Sequence, residues 1–92
     1  MQVTKVRIHL VNEERLKAFA ECSFDNCFLV KNIRIVDVNG RMLISMPSRK
    51  KKDDTYEDLA HPLTQEFRAQ MDSAIMDAYK KEIDELALTV KQ

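Results

Sequence analysis

Residues 33–46 read IRIVDVNGRMLISM, two runs of mostly apolar and β-branched residues on either side of Asn39-Gly40. This dipeptide is the strongest short-range hairpin signal in the chain, because a type I′ turn needs positive φ at both of its central residues. A two-residue turn here places Ile35 opposite Ile44. The stretch therefore predicts an antiparallel hairpin, and with it a register for the sheet.

Two further strands are predicted before this hairpin. Residues 3–11, VTKVRIHLV, and residues 16–24, LKAFAECSF, alternate in the way that is typical of strands with one buried face. The dipeptide DN at 25–26 is a second candidate two-residue turn, and it places Phe24 opposite Cys27. The sequence therefore predicts an antiparallel meander of four to five strands, the fifth over residues 55–60.

The predicted register gives the sheet one nearly continuous apolar face. Its members are Leu16, Ala18, Ala20, Cys22, Phe24, Cys27, Leu29, Ile33, Ile35, Met42, Ile44 and Met46. On this face both cysteines are expected to be buried, reduced thiols, since free Cys behaves as a small hydrophobe. The far face is mixed, and its large apolar members include Phe19, Phe28, Val30, Val36 and Leu43. These residues and the unpaired sheet edges predict a homodimer formed through sheet strands.

A helix is predicted after His61-Pro62, which ends the extended segment. Thr64 is the expected N-cap, and the helix is expected from about residue 65 to about residue 82. Its apolar stripe, suited to cover the apolar sheet face, comprises Phe67, Met71, Ala74, Ile75, Ala78 and Ile83. The predicted fold is therefore α+β, a single domain over residues 1–83. The tail 84–92 is expected either to extend the helix or to fray.

Composition indicates a globular chain, with 92 residues, 45% hydrophobic residues and 33% charged residues. No apolar run approaches the ~20 residues that span a bilayer, and no signal peptide is evident, so a cytoplasmic location without membrane contact is expected. The formal net charge is zero, but the basic and acidic residues are distributed unevenly along the chain. Residues 1–52 hold eleven Lys/Arg against five Asp/Glu, a balance of +6, and residues 53–92 hold four against ten, a balance of −6.

No set of residues suited to catalysis converges in the sequence. The single Gly excludes a glycine-rich phosphate loop, and His9 and His61 each stand alone. The acidic residues Asp53, Asp54 and Glu57 sit beside four cations that would compete with a divalent metal. We therefore expect that the protein is not an enzyme and that it binds no cofactor, metal ion or small-molecule substrate.

The segment RKKK at 49–52 is the most unusual local feature, because four cations stand side by side in a neutral chain. One interpretation is a hydrated loop that only provides solubility. The other is contact with the phosphates of a nucleic acid, for which four neutralised phosphates would give a salt slope of about −3.6. Arg49 alone among the four offers a bidentate fork, whereas Lys50, Lys51 and Lys52 act as point charges.

The block SMPSRKKKDDTYEDLAHPL at 45–63, with MQVTKVRIHLV at 1–11 and NIRIVD at 32–37, resembles the SpoVG (stage V sporulation protein G) family. The resemblance covers the chain from residue 1 to about residue 79. It implies a small bacterial regulator that binds DNA and RNA, acts in septation and sporulation, and needs no cofactor. Family members are dimers with a curved antiparallel sheet and a C-terminal helix.

The family's nucleic-acid contacts lie in the basic residues after Met-Pro-Ser, which are Arg49 and Lys50 here. Assigning Lys51 and Lys52 to the site extrapolates from their charge, as does Arg34, which has Lys31 as a neighbour where the family often has His. The segment also departs from the family pattern, because its turn lacks a Gly and Glu57 stands where a cation is common. The alternative function is a protein-interaction module that engages a division or regulatory protein without binding nucleic acid.

Overall fold

A computed structural model describes the backbone of residues 1–91 and the side chains of residues 1–87. Four strands form an antiparallel sheet in the order β1-β2-β3-β4, two short strands form a separate sheet, and one helix ends the chain. The elements are β1 (Val3–Leu10), β2 (Leu16–Phe24), β3 (Phe28–Val38), β4 (Arg41–Ser45), β5 (Ser48–Lys50), β6 (Tyr56–Asp58) and α1 (Gln65–Lys91). The predicted α+β class is confirmed. The expected fifth strand is present as β6, and it pairs with β5 rather than with the meander.

The β3–β4 hairpin has the predicted register. Asn39 and Gly40 adopt φ values of 55° and 84°, the positive pair that a type I′ turn requires. Ile35 lies opposite Ile44 as expected. The Oδ1 of Asp37 accepts the Gly40 N–H at 2.9 Å, which supports the turn from within the hairpin.

The predicted pairing of β2 with β3 is wrong by one residue at the turn. Asp25 and Asn26 do adopt positive φ, and the Cys27 N–H donates to the Phe24 carbonyl at 3.0 Å. Cys27 nevertheless stays outside the ladder, and Phe24 pairs with Phe28. The connection therefore contains three residues rather than two, and this length is not evident from the DN dipeptide.

A β-bulge in β3 changes the register a second time. Cys22 pairs with Val30 and Ala20 pairs with Ile33, so two residues of β3, Lys31 and Asn32, oppose the single residue between Ala20 and Cys22. Asn32 has a φ of 64°, a left-handed conformation that Asn tolerates better than most residues. The bulge lets the inward positions switch from even numbers before it to odd numbers after it.

These two irregularities correct the predicted faces. Phe28 and Val30, which were expected on the far face, share the inner face with Phe24 and Ile33. Leu29 was expected on the inner face, but it pairs with the outward Ser23 and is 49% exposed. The predicted faces assumed that side chains alternate regularly between the two faces through residues 27–32. The backbone departs from regular strand geometry there, so the alternation breaks.

The core lies between the inner face of the meander and α1. Its buried members are Ala18, Ala20, Cys22, Phe24, Ile33, Ile35, Met46, Met71 and Ile75. The rings of Phe24 and Phe67 meet at a centroid distance of 5.5 Å, which joins the first turn of the helix to the end of β2. Thr64 is the N-cap as predicted, because its Oγ1 accepts the Phe67 N–H at 3.1 Å.

The helix continues past the expected end near residue 82 and includes the predicted tail as far as Lys91. Ile83, the last member of the predicted stripe, is 37% exposed. Gln92 lies outside the described residues. The division between residues 1–83 and 84–92 stays a prediction.

The two cysteines differ in their surroundings, and both are free thiols. Cys22 is buried as predicted, and its burial raises the pKa of the thiol to about 11. Cys27 is exposed in the β2–β3 connection, so the expectation that it is buried is wrong.

Within the described residues, α1 does not combine the length and the apolar character that a bilayer-spanning helix requires.

Candidate nucleic-acid interface

Four of the five predicted contact residues lie in one small hairpin formed by residues 48–58, here called the basic hairpin. Arg49 and Lys50 belong to β5, so the segment expected to be a loop is partly a strand. Lys51 and Lys52 lie at the turn. The Lys51 N–H donates to the Thr55 carbonyl at 2.7 Å and closes this turn.

Side-chain hydrogen bonds order the turn of the basic hairpin. The Oδ1 of Asp53 accepts the Thr55 hydroxyl at 2.6 Å and the Thr55 N–H at 3.2 Å. These hydrogen bonds from Thr55 lower the pKa of the Asp53 carboxyl, because they favour its charged form. Asp54 adopts a φ of 66°, the left-handed position that a Gly commonly fills in turns.

Acidic residues of the same hairpin pair with its cations. The Arg49 Nε lies 2.7 Å from the Glu57 Oε1, and the Lys51 Nζ lies 3.6 Å from the Glu57 Oε2. The Lys50 Nζ lies 3.3 Å from the Asp54 Oδ1. All of these groups are substantially exposed, and the Arg49 side chain is 67% exposed. Exposed pairs of this kind contribute only about 0.2–1 kcal/mol, so a polyanion can displace them.

The basic hairpin is electrically neutral. Its four cations at 49–52 are matched by four acids, Asp53, Asp54, Glu57 and Asp58. Lys52 makes no ion pair within the described part of the chain. The attraction to phosphate is therefore short-range, since the charges cancel at a distance.

The two strands of the basic hairpin present different side chains on their two faces. Arg49 opposes Glu57 on one face, and Lys50 opposes Tyr56 on the other. Tyr56 is 67% exposed, so its ring is open to solvent on the face that also carries Lys50. A phosphate and an unstacked base could be held by this pair at the same time.

Arg34, the fifth predicted contact residue, lies elsewhere. It stands on β3 between Phe19 of β2 and Ser45 of β4, and it is exposed on the side of the meander away from α1. No hydrogen bond or ion pair described for residues 1–87 connects Arg34 to the basic hairpin. The predicted site residues therefore fall into two separate groups.

An apolar groove of about 380 Å³ opens where the chain leaves the basic hairpin and enters α1. It is lined mainly by apolar side chains that are distant in sequence, among them Met1, Phe24, Phe28, Met46, Leu63 and Phe67. Leu63 is 91% exposed and Phe28 is 61% exposed. Sequence reasoning missed this groove because its residues come from four segments that only the fold brings together.

The histidines occupy separate places, as the sequence indicated. The His9 Nε2 lies 2.8 Å from the Glu21 Oε2, and the His61 Nδ1 lies 3.1 Å from the Pro62 carbonyl oxygen. Within the described residues, no group of three or more His, Cys, Asp or Glu side chains is placed to hold a metal ion.

Comparison with known proteins shows which families and chains this sequence is similar to. The model of the family described as SpoVG matches residues 1–81. A Bdellovibrio bacteriovorus protein named "Putative septation protein SpoVG" is 41% identical over 90 residues, which cover 98% of this chain and 83% of the relative. Proteins of the same name from Caldicellulosiruptor saccharolyticus and Treponema denticola are 43% and 40% identical, over 87% and 88% of this chain and 92% and 88% of each relative.

Proposed function

Because this chain belongs to the SpoVG family, we propose that it is a nucleic-acid-binding bacterial regulator of gene expression and septation. It acts in the cytoplasm, needs no cofactor, and contacts the phosphates of DNA and RNA through the basic hairpin. The septation role rests on the name that its relatives carry. The observation that carries the binding proposal is the exposed row of cations at 49–52, whose acidic partners Asp54 and Glu57 are exposed and partly exposed.

Binding exchanges one set of ion pairs for another. The pair between Arg49 and Glu57 uses only the Nε of the guanidinium, which has further N–H donors for a phosphate oxygen. A phosphate that approaches Lys50 competes with Asp54 at 3.3 Å. Because phosphate contacts position a protein without reading bases, the binding is expected to be weakly selective for sequence.

We expect the double variant Arg49→Ala/Lys50→Ala to bind duplex DNA about ten- to hundredfold more weakly at ~0.1 M salt. Two lost phosphate contacts should also make the slope of log K against log salt less steep by about 1.8. The loss should be similar for unrelated sequences, since the contacts are to the backbone. Fluorescence anisotropy with two duplexes of different sequence, measured from 50 to 300 mM salt, gives both quantities.

Two controls sharpen this test. Lys80→Gln/Lys81→Gln removes the same charge from the exposed surface of α1 and should leave the affinity unchanged. Glu57→Gln should strengthen binding several-fold, because it frees Arg49 and Lys51 from their acidic partner. Unchanged binding by the Arg49→Ala/Lys50→Ala variant would exclude the basic hairpin as the contact.

A homodimer formed through sheet strands is part of the proposal. The free edges of β1 and β4 and the large exposed apolar side chains near the groove support it. Light scattering on the eluting protein at tens of micromolar should give about twice the chain mass of 10.7 kDa. A single species at the mass of one chain would contradict the dimer.

The second candidate function is a protein-interaction module that engages a division or regulatory protein. The exposed apolar groove and the neutrality of the basic hairpin favour it. The two functions differ in one measurement. A protein that fails to bind any oligonucleotide at ~20 mM salt, where phosphate contacts are strongest, would favour the interaction module.

A further inference from the structure

The side of the meander opposite α1 is here called the outer sheet face, and it is strongly basic. Outward positions of the four strands carry six cations and a single acid, Glu21. The cations are Lys5, Arg7, Lys17, Lys31, Arg34 and Arg41. The balance of +5 exceeds that of the basic hairpin, where four cations face four acids. Charge is therefore concentrated on a surface that the sequence motif does not identify.

The surroundings of Glu21 show how these cations converge. Glu21 pairs with Arg7 across the β1–β2 ladder, and its carboxylate lies 2.8 Å from His9. The bulge in β3 places Lys31 on the other side of Glu21. The hydrogen bond with His9, together with the charges of Lys31 and Arg7, lowers the pKa of the Glu21 carboxyl. One carboxylate thus interacts with several cations, and most of their positive charge remains uncompensated.

Apolar side chains lie among the cations of this face. Phe19, at the centre of β2, opposes His9 on β1 and Arg34 on β3. Leu29 and Leu43 are 49% and 45% exposed on the same side. Phe19 is partly buried, and a ring that reaches the surface next to an Arg is an arrangement on which nucleic-acid bases stack.

We propose that the outer sheet face binds single-stranded nucleic acid, with phosphates at Lys31, Arg34 and Arg7 and a base stacked on Phe19. The occupant is a polyanion because six cations face one acid. It is single-stranded because an open sheet has no element that enters a groove, whereas an unpaired base can lie flat on the partly exposed ring of Phe19. A second copy of this chain does not fit, since two such faces in contact would set cations against cations.

This inference rests in part on the proposed function, because both assume that the protein binds nucleic acid. It differs in location and in the strand state of the ligand. The basic hairpin is expected to grip the backbone of duplex or single strand alike, whereas the outer sheet face is expected to prefer unpaired strands. The two surfaces can therefore be separated by variants and by probes.

The test measures anisotropy of three labelled 20-mers, an unstructured DNA strand, an unstructured RNA strand and a DNA duplex, at ~0.1 M salt. Lys31→Gln/Arg34→Gln should weaken both single strands about tenfold or more, lower their salt slope by about 1.4, and change duplex affinity less than threefold. Phe19→Ala should weaken the single strands about fivefold or more, and Phe19→Tyr should retain the wild-type affinity because it keeps the ring. Lys80→Gln/Lys81→Gln removes equal charge from α1 and should behave as wild type. Thermal unfolding of each variant checks that the sheet is intact.

The outcomes distinguish the two proposals. Single-strand affinity that is unchanged in both Lys31→Gln/Arg34→Gln and Phe19→Ala overturns this inference and leaves the basic hairpin standing. Equal losses for duplex and single strand overturn the preference for unpaired strands. Loss in these variants with no effect of Arg49→Ala/Lys50→Ala supports the outer sheet face and overturns the hairpin contact. Wild-type protein that binds none of the three 20-mers overturns both.

Discussion

Replacing Phe24 with Ala is expected to lower the free energy of unfolding by about 3–5 kcal/mol, the range for a buried Phe truncated to Ala. Phe24 is 3% exposed and packs against Phe67 at a ring distance of 5.5 Å, so the truncation leaves a cavity between β2 and the start of α1. A domain of this length is stable by only roughly 5–14 kcal/mol, so the loss is a large part of the total. The melting temperature should fall by roughly 10 °C or more.

Phe28→Ala is the matched control, because Phe28 is the direct cross-strand partner of Phe24 but is 61% exposed. The same truncation there should cost less than about 1 kcal/mol. Urea unfolding of both variants at one protein concentration measures the two values, and a fixed concentration is needed because association would add stability. Equal losses would show that the inner face extends beyond the described core and covers Phe28.

The second large effect is expected from Ile75→Ala in α1. Ile75 is fully buried against the sheet, and it lies on the helix face that also buries Met71. Truncating a buried Ile to Ala costs about 2–5 kcal/mol, through lost apolar burial and the cavity that remains. Few side chains of α1 are buried against the meander, so the loss of one should weaken the packing of the whole helix on the sheet. Far-ultraviolet circular dichroism during urea unfolding should report it.

Ile83→Ala makes the same chemical change on the same helix at a residue that is 37% exposed. We expect a loss below about 1.5 kcal/mol, since more than a third of this residue is already in contact with water in the folded protein. The sequence pattern placed Ile75 and Ile83 on one stripe without distinguishing them. A loss at Ile83 as large as that at Ile75 would mean that a second surface, such as another copy of the chain, covers the later turns of the helix.

The candidate site could be predicted from the sequence only as a list of charges. The run at 49–52 marks the segment that forms the basic hairpin, because four adjacent cations remain close together in any fold. The pairing of these cations with acidic residues could not be predicted, because it depends on the register of β5 with β6, which sets Glu57 opposite Arg49. Arg34 was predicted as a contact residue, but the combined charge of the outer sheet face was not, since its cations come from four strands and become neighbours only when the sheet forms.

The strands differ in how far local residues determined their pairing. Asn39-Gly40 specified its hairpin, because the two positive φ angles belong to the turn residues themselves. The DN dipeptide at 25–26 adopted the same angles without setting the register, because Cys27 remained outside the ladder. The added bulge at Asn32 then shifted the inward positions by one.

By itself, the sequence determined the order of the four meander strands and the helix, the capped start of the helix and the tight β3–β4 turn. All of these depend on residues within a few positions of one another. Only the tertiary structure decided which of Phe24, Phe28, Ile75 and Ile83 are buried, and which cations gather on one face. The reason is physical, because burial and charge density are properties of surfaces, and a surface exists only after distant segments have packed together.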